Sequence, residues 1–100
     1  MSGEPHETSS APLRREVTFS GHVQGVGFRY TTQDIARRFD VRGYVRNLSD
    51  GNVELVVEGT PDEIARFIAA IHERMGSFIR DVKSSSLPAR REFTDFTIRH

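Results

Sequence analysis

With 100 residues and 36% hydrophobic side chains, the chain can bury one modest core and has no room for a second. Its 14 Lys and Arg residues balance 14 Asp and Glu, so no overall field draws it toward nucleic acid or a membrane, and any preference for an anion must be built locally. The absence of cysteine excludes a disulfide framework, a thiolate nucleophile and a cysteine-based metal site.

Residues 1–14 combine Ser, Pro, Gly, Glu and Thr with scarcely any apolar side chain, too little to offset the entropy of ordering them, and a flexible tail is expected there. Glu4, Pro5, His6 and Glu7 do not suit a signal peptide, and no apolar run approaches the ~18 residues of a membrane-crossing helix. A cytoplasmic protein with one domain over residues 15–100 is the expectation.

Val17, Phe19 and Val23 mark a first strand. Phe28, Thr32, Ile35, Ala36 and Phe39 share one face of a helix, with Asp40 and Gly43 bracketing its exit. Two strands, Arg42 to Leu48 and Asn52 to Glu58, flank Ser49-Asp50-Gly51, and Asp-Gly between apolar runs is a strong hairpin signal. Thr60 is the expected N-cap of a second helix, Pro61 its first residue and Glu63 the partner that closes a capping box. Ile64, Phe67, Ile68, Ile71 and Met75 line the apolar face of that helix, and Gly76 is placed to end it. A fourth strand is expected around Phe78 to Ser84, then a polar loop with Pro88, then a short strand near Phe96 to Arg99.

The order strand, helix, strand, strand, helix, strand, strand is a split βαβ plan with an added edge strand, which makes the fold class α+β. Right-handed crossovers put both helices on one side of the sheet and leave the other face open.

The chemistry concentrates in Gly21, His22, Val23, Gln24, Gly25, Val26, Gly27, Phe28 and Arg29, between the first strand and the first helix. A phosphate group is held best by several backbone N–H groups converging on one point, and glycine lets the main chain approach closely at positive φ. The helix N-terminus supplies further donors, and Arg29 in its first turn offers paired donors with a permanent charge. The glycines by themselves also suit a tight turn. No Gly-Lys-Ser/Thr follows them and the GxGxxG spacing is not met, so neither nucleotide-binding motif is present.

The whole string resembles the acylphosphatase signature GxVQGVxFR, with every fixed position filled by Gly21, Val23, Gln24, Gly25, Val26, Phe28 and Arg29. Gly43-Tyr44-Val45-Arg46-Asn47 is similar to the GxVxN segment of that family, although Asn47 alone reads as a turn residue before the hairpin. The resemblance covers residues from about 15 to 100 and implies a ferredoxin-like α/β sandwich: a mixed five-stranded sheet covered on one face by two helices. It also implies a loop that binds the phosphoryl group of an acyl phosphate, catalysis by Arg29 and by Asn47 positioning the attacking water, and neither a metal nor a cofactor. Ser49 stands where many relatives carry proline or another turn residue, and Gly27 falls at a variable position. Neither departure touches the implied chemistry.

That division of labour is physically sufficient. A carboxylate leaving group has a conjugate acid of pKa about 4 and needs no proton at neutral pH. What remains is to place water in line and to stabilise charge on the phosphoryl oxygens. Of the scattered histidines His6, His22, His72 and His100, only His22 lies in the loop, where it either faces the anion or is solvated. Tyr30 and Tyr44 suit acyl-pocket lining or ordinary sheet and helix cover. The expected partner is a small acyl phosphate, with no nucleic acid, no membrane and a monomeric state. Two other readings stay open: a non-catalytic anion-binding module, and an RNA-binding ferredoxin-like domain, which lacks the aromatic-rich strand such domains use.

Overall fold

The structure, a computed structural model, describes residues 11–100. The chain forms β1 (Leu13–Gly21), α1 (Phe28–Ala36), β2 (Arg42–Asn47), β3 (Val53–Gly59), α2 (Pro61–Met75) and β4 (Ile79–Pro88). One 3-10 turn, Gly76–Phe78, precedes β4, and β5 (Phe96–Arg99) ends the fold. The strands run β4-β1-β3-β2-β5 across one five-stranded sheet. All neighbours are antiparallel except β2 and β5, which are parallel, so the sheet is mixed as expected.

Alternation in the strands sends Val17, Phe19, Val45, Val53, Leu55 and Val57 into one core with Phe28, Ile35, Ile64, Phe67 and Ile71 from the helices. Each fully buried large side chain there stabilises the fold by about 1.5–3 kcal/mol. The rings of Phe19 and Phe28 lie 5.1 Å apart, which ties the last buried residue of β1 to the first residue of α1. The loop between them is thereby held at both ends.

Several local expectations are corrected by longer-range pairing. β1 begins at Leu13 and β4 ends at Pro88 because these two residues pair with each other, so Leu13 and Arg14 belong to the fold and Pro88 closes a strand. Residues 1–10 of the expected tail lie outside the described residues. Gly43 lies inside β2, within the strand expected from Arg42, and a Cβ there would collide with the carbonyl oxygen of Val56. Thr60 caps α2 by accepting the Glu63 N–H at 3.3 Å, but the Glu63 carboxylate accepts the Asp40 N–H at 3.0 Å, so the capping box is only half formed. Gly76 ends α2 in right-handed geometry, and the chain tightens into the 3-10 turn.

The face away from the helices is not open along its whole length. β4 and β5 occupy opposite edges of the sheet, so residues 89–95 must cross it. They cross over Arg14, Glu58 and Tyr44. Glu58, 7% exposed, accepts the N–H groups of Arg90 at 2.8 Å and Arg91 at 2.9 Å, while Glu92 accepts from Arg14 at 2.7 Å. Arg91 takes φ 57 so that both amides converge on one carboxylate. Phe93 packs edge-on to Tyr44 at 5.9 Å, and the Arg99 guanidinium covers the same ring at 3.8 Å.

Candidate active site

β1 stops at Gly21, whose φ of 126 turns the chain away from β4 where a Cβ would meet the Phe78 carbonyl oxygen at 2.5 Å. The His22 N–H then donates to that carbonyl at 2.8 Å and fixes the start of the loop. At the far end Gly27, with φ 78 and ψ 20, precedes α1 with no side-chain cap and no acidic residue in the first turn. The first helical bond runs from the Thr31 N–H to the Gly27 carbonyl at 3.0 Å. A helix start of this kind leaves its first N–H groups to an outside acceptor, and the positive end of the helix dipole favours an anion there.

Asn47 is the last residue of β2, and its register with Val53 of β3 places it at the sheet end that faces the loop. Val23, Gly25, Gly27, Phe28, Arg29, Tyr30 and Asn47 together line a cavity of about 110 Å³. That is far below the ~300–1,000 Å³ of pockets that enclose drug-sized ligands, and it suits a small group with the remainder of a ligand outside. Tyr30, 64% exposed, stands at the rim. Two hollows of about 370 Å³ lie elsewhere and contain none of the loop residues.

The remaining loop residues divide by task. Val23 is fully buried and Val26 packs against the core, so both anchor the loop. Gln24 sends its carboxamide to the β2–β3 hairpin, donating to the Leu48 and Asn52 carbonyls at 2.8 Å each. His22 is outside the Arg29–Asn47 cavity. Its ring lies 6.4 Å from that of Phe78, beside a separate depression lined by Ser77, Ile79 and Arg80. Tyr44 is on the opposite sheet face, and burial, followed by the charge of Glu54, pushes its hydroxyl pKa up.

The imidazole that meets Arg29 is that of His100, with Nδ1 3.2 Å from Nη1. Parallel pairing of β5 with β2 sets Arg99 opposite Arg46, which brings the next residue, His100, to the end of the sheet that carries Asn47. Sequence spacing holds no sign of this, because only the β2–β5 register creates it. Among the described residues, no group of three or more His, Cys, Asp or Glu could hold a metal ion.

The β1-loop-α1 unit brings two glycines, an arginine and the asparagine at the end of β2 to one small cavity, on an α+β domain in which two helices pack on a mixed five-stranded sheet. A profile of the acylphosphatase family matches residues 15–98. The acylphosphatase of Marinobacter nauticus is 42% identical over 88 residues, covering 87% of this chain and 96% of that one. The crystal structure of the Bacillus subtilis acylphosphatase superposes with a TM-score of 0.79 at 28% identity, covering 88% of this chain and 99% of that one. T. kodakarensis HypF contains a similar unit, with a TM-score of 0.74 at 31% identity over 86% of this chain and 12% of that one. The chain belongs to the acylphosphatase family.

Proposed function

We propose that the protein hydrolyses acyl phosphates to a carboxylate and orthophosphate, with the phosphoryl group seated in the cavity between the loop and Asn47. The observation that carries this reading is that one cavity is lined by Gly25, Gly27, Arg29 and Asn47 together. The loop N–H groups and Arg29 neutralise charge on the phosphoryl oxygens. Asn47, a neutral amide, accepts one hydrogen bond from water and donates another to a phosphoryl oxygen, which orients the nucleophile. The water oxygen bonds to phosphorus, the bond from phosphorus to the acyl oxygen breaks, and the carboxylate leaves with its electron pair. The proton from water passes to the phosphate product or to solvent. Phosphoryl transfer depends chiefly on positioning and electrostatics, so this set of residues is chemically sufficient.

The small cavity leaves the acyl group outside, against the exposed ring of Tyr30. The reading includes a monomer that acts in the cytoplasm on a diffusible substrate, and the balanced charge supplies no overall field toward nucleic acid or a membrane. Among the described residues no helix is long and apolar enough to cross a membrane. RNA binding is disfavoured because Tyr44, the aromatic of the second sheet face, is covered by Arg99 and Phe93.

Benzoyl phosphate hydrolysis, followed by release of orthophosphate, tests the activity. Asn47→Ala is expected to lower kcat while inorganic phosphate still inhibits at nearly wild-type concentration. Equal losses in both would assign Asn47 to phosphate binding, and inert wild-type protein that still binds phosphate would favour a non-catalytic anion module.

A further inference from the structure

Gln24 is in the middle of the loop, yet its side chain does not line the cavity that its neighbours form. Its Nε2 donates instead to Leu48 O and Asn52 O, both at 2.8 Å. Those carbonyls already serve the hairpin, accepting from Gly51 N–H at 3.2 Å and from Leu48 N–H at 2.8 Å. One carboxamide therefore bridges both arms of the hairpin immediately beyond Asn47. Its orientation follows from its partners, because two carbonyl oxygens can only accept.

The loop has few other directional restraints. Its ends are tied by His22 N–H and Thr31 N–H, while Gly25 and Gly27, at φ 79 and 78, meet no neighbouring atom within 4 Å of an added Cβ. Burial of Val23 holds the loop down, but apolar packing is non-directional and sets no hydrogen-bond register. Among the described residues, the two bonds from Gln24 are the hydrogen bonds that run from the loop to the segment carrying Asn47.

We propose that Gln24 is a positioning residue that sets the spacing between the phosphoryl cradle and Asn47, so that the water on Asn47 is in line with the bond to be broken. This rests on the reading of Asn47 given above. It gives the glutamine of the loop a task distinct from anion binding: the loop amides and Arg29 hold the phosphoryl group, and Gln24 determines where the nucleophile stands relative to it.

A double-mutant cycle tests the link, using Gln24→Met, which keeps length and neutrality and loses both donors. Misplacement by about 1 Å can cost about 100-fold in rate, so Gln24→Met is expected to lower kcat for benzoyl phosphate by about 10- to 100-fold. Inhibition by inorganic phosphate should stay within about twofold of wild type, which also reports that the cradle has folded. In the Asn47→Ala background the same substitution should change kcat by no more than about twofold, since the group it positions is already gone. Equal losses in the two backgrounds, a parallel loss of phosphate binding, or an unchanged kcat would each overturn the proposal. If Asn47→Ala alone keeps wild-type turnover, the reading of Asn47 fails first and takes this proposal with it; if only the Gln24 arm is silent, the positioning role alone is wrong.

Discussion

Arg29 Nη1 and His100 Nδ1 lie 3.2 Å apart, joining the first turn of α1 to the residue after β5. An arginine can only donate, so in this hydrogen bond the imidazole Nδ1 is the acceptor. A phosphoryl group that recruits this Arg29 N–H has to displace the imidazole. The bond is exposed to solvent, although Arg29 is half-buried, and so falls in the lower part of the usual range of about 0.5–1.5 kcal/mol. His100→Ala is therefore expected to tighten inhibition by inorganic phosphate about two- to fivefold, whereas His22→Ala, outside the cavity, should leave it unchanged. Weaker phosphate binding in His100→Ala would mean that the imidazole helps to orient Arg29 for the anion.

Arg29→Ala and Arg29→Lys should both remove nearly all activity with little change in melting temperature. Lysine keeps the charge and loses the planar fork that grips two phosphoryl oxygens. Retention of more than about a tenth of wild-type kcat/KM by folded Arg29→Ala, a loss of only about 1.4 kcal/mol, would remove Arg29 from the assigned role.

Glu63 makes acid stability a test of how α2 is attached. The Asp40 N–H and then Arg66 hold its carboxyl pKa below the ordinary value. A carboxylate whose folded pKa is depressed stabilises the fold above its unfolded pKa, and that contribution disappears as pH falls through the folded value. Thermal melts should show Glu63→Gln as less stable than wild type near pH 7, with the difference shrinking below about pH 4. A constant difference across that range would show that the loss comes from packing.

Thr32 is fully buried in α1, and its hydroxyl has no hydrogen-bond partner among the described residues. Thr32→Val replaces that hydroxyl with a methyl group of similar shape and comparable helix propensity. Stability should rise by about 1 kcal/mol, which for a chain of this size raises the melting temperature by about 4–8 °C. A lower melting temperature would show that the hydroxyl is satisfied in solution, by water or by a backbone carbonyl.

Much of the molecule is legible in its sequence where the governing forces act over a few residues. Positive φ at Gly25 and Gly27 and the N-cap at Thr60 each follow from the conformational limits of single residues. The apolar stripe of α2 and the Asp50-Gly51 hairpin are equally local, so their elements stand close to where they are expected. The loop string itself is continuous, which is why all its members can be named from the chain alone.

Other features were decided only when the sheet closed. The extension of β1 to Leu13 and of β4 to Pro88 is mutual, and neither strand end carries a signal without the other. Gly43 falls within the expected strand, but the need for glycine there arises only when β3 stands beside it and the Val56 carbonyl leaves no room for a Cβ. The crossing of residues 89–95 over Tyr44 follows from strand order, and the approach of His100 to Arg29 from the parallel register of β2 and β5. Arg29 and Asn47 are nameable separately, but their common cavity exists because burial of one whole sheet face selects a single register. A backbone preference is a property of a residue; a register is a property of every residue on the buried face at once, and only the folded sheet expresses it.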